Sequence, residues 1–216
     1  MSDRPIPTRP IDAHSVAAAM SQAEAAAAFT PSLTAHQPFF DHEVERPQGR
    51  LRVRGYTAAI PVPDVIVSAV RAVVFKGSRV VVLSEADGTH HVMPGGRREP
   101  GEGLDATVRR ELLEECGWHV GELRPFAFLF FQHPGPAPPA DWCDFANLIY
   151  LTEAARYDRR SLDATQGKVR SRLMSTKAAF DAVTDRHRAI LAAALSAKRV
   201  ASGGQWSTPK PKRPGA

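Results

Sequence analysis

The spacing of apolar positions sorts the chain into strand-like and helix-like segments. Leu51-Arg52-Val53-Arg54 alternates apolar and charged residues as an exposed strand does. Val65 to Phe75 and Val80 to Leu83 are β-branched runs on either side of Lys76-Gly77-Ser78, which predicts a hairpin. His90 to Met93 predicts a short strand leading into Pro94-Gly95-Gly96. From Leu104 to Cys116 the period becomes helical, with Val108, Leu112 and Cys116 four residues apart as an apolar stripe, and Gly117 stands where a helix C-terminus favours glycine. Phe126 to Gln132 and Ala146 to Thr152 return to the composition of buried strands. Between them, Pro134-Gly135-Pro136-Ala137-Pro138-Pro139 excludes regular structure. Asp185 to Ala197 predicts a closing helix with Ile190, Leu191, Ala194 and Leu195 on one face. Strands, helix, strands, helix is the order of an α+β fold, built as an α/β/α sandwich around a mixed sheet.

The flanks read differently. Residues 1–43 are rich in Ala, Pro and Ser and poor in large aliphatics, which predicts a flexible arm carrying one short Ala-rich helix. Residues 44–200 form the predicted catalytic domain, and 201–216, rich in Gly, Pro and Lys, a disordered basic tail. At 216 residues with 43% hydrophobic content, one domain with tails is the expected organisation. The net charge of +5 resides in the C-terminal stretch: Lys198, Arg199, Lys210, Lys212 and Arg213 lie where there is no Asp or Glu, and the remaining acids and bases balance. Nucleic acid is therefore not an expected partner, since Trp206 alone interleaves those lysines. Two cysteines, Cys116 and Cys143, and no apolar run approaching the ~20 residues of a membrane span point to a reduced, cytoplasmic setting. The Ala17 to Ala28 stretch, broken by Ser21, Gln22 and Glu24, is a poor secretory leader.

Charge matters most on the first predicted helix. Glu111, Glu114 and Glu115 stand at i, i+3 and i+4, so a helix stacks them on one side, about 5–6 Å apart at Cβ. Carboxylates so placed repel one another, and the negative end of the helix dipole adds to the repulsion. A solvated acidic face is one reading of such a pattern. A bound cation is the other, and hard oxygen ligands select Mg²⁺ or Mn²⁺, usually shared with substrate phosphates.

The surrounding spacing separates these readings. Gly96, five residues, Glu102, seven residues, then Arg110-Glu111-Leu112-Leu113-Glu114-Glu115-Cys116-Gly117-Trp118 matches the Nudix box, Gly-x5-Glu-x7-Arg-Glu-U-x-Glu-Glu-x-Gly-U with U a bulky aliphatic. The fixed identities are all present, a coincidence on the order of 10⁻⁸ per starting position at ordinary residue usage. Trp118 departs from the usual aliphatic at the last position, which implies adjusted packing. The segment from about Val65 to Leu195 resembles the Nudix hydrolase family, and the resemblance implies a Nudix-like sandwich.

It also implies roles. Glu111, Glu114 and Glu115 would be metal-binding carboxylates and the Gly95 carbonyl a further metal ligand. Arg110 would orient a glutamate, Glu102 would brace the loop, Gly96 and Gly101 would allow it to turn, and Gly117 would end the helix. Glu114 or Glu115 is the expected general base. Asp158, Asp163 and Gln166 on the predicted loop Ala154 to Arg172, and Asp141 and Asp144 beside the proline-rich loop, are the alternatives. Phe131, His133 and Trp142 are candidates to stack on a base or ribose, or else loop anchors. His90 and His91 lead into the box, where they are candidates to contact substrate, and read as plain strand positions rather than metal ligands; Pro134, sixteen residues after Trp118, falls where ADP-ribose-cleaving relatives often carry proline. The implied activity is metal-dependent hydrolysis of a phosphoanhydride in a nucleoside diphosphate linked to another group, of the ADP-ribose or nucleotide-sugar type. Pyrophosphohydrolysis of an oxidised nucleoside triphosphate and a non-catalytic ligand-sensing module are the competing readings. The expected partner is a nucleotide-like small molecule. A second copy pairing through the strand at Leu51 to Arg54 competes with an edge strand within one chain.

Overall fold

The computed structural model describes residues 22–46, 49–135, 143–162 and 170–202. Among these described residues, nine strands make one sheet: β1 (Phe40–Arg46), β2 (Gly49–Thr57), β3 (Val67–Lys76), β4 (Arg79–Ser84), β5 (His90–His91), β6 (Trp118–Val120), β7 (Arg124–Gln132), β8 (Phe145–Tyr157) and β9 (Arg170–Ser175). The order is β1-β2-β7-β8-β3-β4-β5, with β6 on β8 and β9 on β4. β3 and β8 run parallel and the other described pairs antiparallel, so the sheet is mixed as expected. The described helices that cover it are α1 (residues 22–29), α2 (Leu104–Cys116), α3 (Thr176–Ala182) and α4 (Asp185–Ser202).

The period of two along each strand feeds two cores. Tyr56, Val70, Ala72, Val74, Val81, Leu83, Phe128, Phe130, Leu148 and Tyr150 point to one face, where Val108, Leu112 and Cys116 of α2 cover them. Val53, Val73, Phe75, Val80, Val82, Leu129, Ile149 and Leu151 point to the other, under Ala179 and Val183 and the Ile190, Leu191 and Ala194 stripe of α4. This is the predicted three-layer sandwich. The β3–β4 hairpin closes over Gly77 and Ser78 with Lys76 opposite Arg79, as the two β-branched runs require. Among the described residues, no helix is long and apolar enough to cross a membrane.

Residues 22–43 correct the expectation of a flexible arm. α1 and the 3₁₀ turn Thr30–Leu33 lie on the α2 face, with Ala26, Phe29 and Leu33 buried in its core. The Phe29 ring meets Phe128 and Phe130, each at 5.8 Å between centroids. The few large residues of an Ala-rich segment suffice to dock it when they share one helical side. Residues 1–21 and 203–216, the outer arm and nearly all of the basic tail, lie outside the described residues.

The strand containing Leu51 to Arg54 also differs from expectation. Leu51 and Val53 are buried, while Arg52 meets Asp41 of β1 in a two-pronged ion pair. β2 is flanked by β1 and β7, so neither of its edges is open and the reason for pairing it with a second copy falls away. The span from Ala154, read as a loop, continues β8 to Tyr157, and β9 then pairs with β4 over six residue positions. β9 carries Arg170, Ser171, Arg172 and Ser175 among its six residues, a composition that hides its pairing.

If the N-terminal segment belongs to the domain, Phe29→Ala should lower stability by about 3 kcal/mol, the usual loss for a buried aromatic. A urea or thermal melt measures this. A change below about 0.5 kcal/mol, the range of surface substitutions, would return the segment to an arm.

Candidate active site

The site begins with a close approach of two backbones. The amides of Val70 and Ala72 on β3 donate to the carbonyls of Gly96 (3.0 Å) and Pro94 (2.9 Å), which straps the turn before α2 along the strand. β3 can accept this strap because β4 pairs with only its last two residues, leaving its first half open on that side. At Gly95, with φ +134°, a Cβ would stand 2.3 Å from the Val70 carbonyl oxygen, and at Gly96 one would stand 2.3 Å from Glu111 Oε1. Only glycines let the turn lie so close to both strand and carboxylate.

α2 spans the predicted residues, Leu104 to Cys116. Gly117 ends it in the left-handed conformation, φ 69°, its amide donating to the Leu113 carbonyl at 3.0 Å. Arg110 organises the acidic side. Its Nε and Nη2 grip the two oxygens of Glu102, each at 3.0 Å, and Nη1 reaches Glu111 Oε1 at 3.0 Å and Glu114 Oε2 at 3.1 Å. Arg110 therefore serves three glutamates and not one. Glu102 also accepts from the Glu99 amide, which ties it to its own loop. The guanidinium and that amide hold Glu102 down at about 2.

Glu115 faces the turn, and its Oε2 accepts from the Gly95 amide at 2.7 Å. Burial pushes its carboxyl up to about 7, against the pull of that amide and of Arg71. Burial likewise raises Glu111, which is 8% exposed, against the pull of Arg110. Arg71, on β3 between the two strap bonds, donates through Nη1 to the Gly95 carbonyl. Beyond Arg71, His91 Nε2 lies 2.9 Å from Glu85 Oε1, and the His91 ring is 5.6 Å from that of His187 on the first turn of α4. Burial, and then the charge of Arg186, hold His187 down at about 3, and its Nδ1 has no hydrogen-bond partner among the described residues.

The predicted site residues Gly95, Gly96, Glu102, Arg110, Glu111, Glu114 and Glu115 thus share one place. Sequence reading passed over Arg71, Glu85 and His187. Arg71 did leave a signal, being the one charged residue from Val65 to Phe75. The alternatives lie elsewhere or outside the described residues. Asp158 caps the 3₁₀ turn Arg159–Ser161 and its amide donates to the Gly117 carbonyl, at the far end of α2. Asp144 accepts from the His133 amide at 3.0 Å, and Phe131 stacks on Phe145 at 4.6 Å, contacts that anchor the β7–β8 ends. Trp118 packs on Tyr157 with the Lys76 ammonium over its ring, which is how α2 accommodates an indole at this position. Asp141, Trp142, Asp163 and Gln166 are outside the described residues.

A three-layer sandwich that straps a glycine turn to one strand edge, gathers three glutamates around one arginine and ties a fourth to the turn's amide defines a class of phosphate-handling hydrolase. The chain belongs to the NUDIX domain family, whose model matches residues 65–194, and it is a hydrolase acting on phosphorus-containing acid anhydrides. Solved structures with which it shares similarity include a Bacillus subtilis pyrophosphohydrolase, BsRppH, at 16% identity over 62% of this chain and 77% of that one, TM-score 0.47. A NUDIX hydrolase from Nitrosomonas europaea aligns at 16% identity over 60% and 88%, TM-score 0.47. An ADP-ribose pyrophosphatase from Streptococcus suis aligns at 17% identity over 61% and 90%, TM-score 0.41. No curated protein matches the chain.

Nudix hydrolases generally use divalent metal ions. Among the described residues, no three His, Cys, Asp or Glu side chains stand together closely enough to hold an ion as placed. The reason is local: Glu111 and Glu114 are turned to Arg110 and Glu115 to the Gly95 amide. The donor chemistry nevertheless fits a hard divalent ion, since the acids and the Gly95 carbonyl supply oxygen alone and two of the acids are held in surroundings that oppose their charge.

A folded-state carboxyl raised from about 4.5 to about 7 makes an unfavourable charge as pH climbs through that window, so its effect on stability is absent below about 4.5 and complete above about 7. In chelator, the native protein should therefore melt at a lower temperature at pH 8 than at pH 5.5, and Glu115→Gln should narrow that difference. An equal difference in both proteins would remove Glu115 as its source.

Proposed function

We propose that the protein is a divalent-metal-dependent hydrolase that cuts the phosphoanhydride of a nucleoside diphosphate linked to another group, of the ADP-ribose or nucleotide-sugar type, with Mg²⁺ or Mn²⁺ as cofactor. The observation that carries this reading is the intact set of box acids, Glu102, Glu111, Glu114 and Glu115, collected at one arginine and one strapped glycine turn. A ligand-sensing module has no use for four acids gathered in this way.

Glu111, Glu114, Glu115 and the Gly95 carbonyl would hold the ion, which when bound neutralises the diphosphate and lowers the pKa of water near phosphorus. Arg110 supplies a fixed counter-charge that keeps the acidic side chains in place before substrate arrives. Glu115, raised by burial and tethered to the Gly95 amide, suits a proton acceptor working near neutral pH, and Glu114 is the other candidate for that role. A reducing, cytoplasmic setting agrees with Cys116 and Cys143 both being free thiols.

The test is product release from ADP-ribose, nucleotide sugars, dinucleoside polyphosphates and nucleoside triphosphates with Mg²⁺ or Mn²⁺. Turnover of a nucleoside diphosphate derivative that falls about a hundredfold or more in Glu115→Gln is the expected outcome. Preferred turnover of triphosphates would replace the substrate class, and metal-independent turnover would overturn the mechanism.

A further inference from the structure

The acid cluster has a second arginine whose position fits neither packing nor the bracing of α2. Arg71 sits midway along the strap, between the bonded amides of Val70 and Ala72, and its guanidinium caps the Gly95 carbonyl. That carbonyl belongs to the residue whose amide holds Glu115. The charge of Arg71 acts on Glu111 and Glu115 together, lowering both. Its sequence neighbours on β3 are buried and apolar, so a guanidinium here replaces a residue that would have extended the core under α4. Arg110 already pairs with Glu102, Glu111 and Glu114, leaving Glu115 and the Gly95 carbonyl to Arg71.

We propose that Arg71 is an exchangeable counter-cation and a substrate-phosphate ligand: it caps the Gly95 carbonyl until a divalent ion takes that oxygen, and its guanidinium then binds a phosphate of the substrate. This rests on the proposed metal-dependent hydrolysis. Two cations cannot share one carbonyl oxygen and one carboxylate without repulsion, so the arginine opposes the ion and must turn away as it enters. Close to its guanidinium are His91 and His187, both rings lowered by burial and further by the charges of Arg71 and Arg186; Glu85 is the acid on that side and is engaged by His91. An arginine fork suits a phosphate released from its own carbonyl partner.

The proposal separates Arg71 from a residue that merely holds the loop. If Arg71 only braces the Gly95 turn, removing it weakens metal binding. If it competes with the ion, removing it strengthens metal binding and weakens substrate binding. Mn²⁺ affinity, read by the loss of the free-ion electron paramagnetic resonance signal, should tighten roughly fivefold in Arg71→Gln, as expected for lifting one partly screened charge repulsion. In the same variant KM should rise about tenfold with kcat changed less than about threefold, and Arg71→Lys should recover part of the KM loss. Equal or weaker Mn²⁺ binding in Arg71→Gln overturns the proposal while leaving the hydrolase reading in place. Mn²⁺ binding by neither native protein nor variant overturns both.

Discussion

The contact on which the site depends is between main chains. Pro94, Gly95 and Gly96 lie against β3 with two amide-to-carbonyl bonds and no room for a Cβ, and this fixes where α2 starts and how it is turned. Once the turn is strapped, the apolar stripe Val108, Leu112, Cys116 must go down onto the sheet, and the adjoining side of the helix delivers Glu111 and Glu115 back to the glycines. Side chains that repel one another are thereby brought together by packing and backbone hydrogen bonds that do not depend on their charge. The raised carboxyl of Glu115 is the electrostatic consequence.

Cationic groups answer this in two ways. Arg110 is built in permanently, its five N–H donors spread over three acids and the Arg97 carbonyl. It fixes Glu102 in the ionised form and turns Glu111 and Glu114 to itself. Glu115 is left outside that network, and its counter-charge comes from β3. For the proposed metal-dependent hydrolysis this division means that the arrangement of the acids persists while Arg71 is left to exchange with the ion.

Much of this was legible in the sequence because each part had a local cause. The hairpin follows from β-branched runs around a glycine, the helix from a four-residue apolar repeat ended by Gly117, and the acid cluster from i, i+3, i+4 spacing within the Nudix box. What stayed hidden depended on partners distant in the chain. β9 is polar at most positions and becomes a strand only through β4, more than eighty residues earlier. α1 is mostly alanine, and its attachment rests on Phe29 and Leu33 finding Phe128 and Phe130. Arg71 interrupts an otherwise apolar strand, and its partner, Gly95, stands twenty-four residues onward. Local pattern specified the elements, and the sheet's order decided which side chains meet.

Location of the ion tests the account most directly. Crystals soaked in Mn²⁺ and measured near the manganese absorption edge should give an anomalous peak bordered by Glu111, Glu115 and the Gly95 carbonyl, with Arg71 no longer on that oxygen. Absence of any peak there, or a peak bound to other acids such as Asp158 or Glu85 alone, would contradict the assignment of these residues as the catalytic centre.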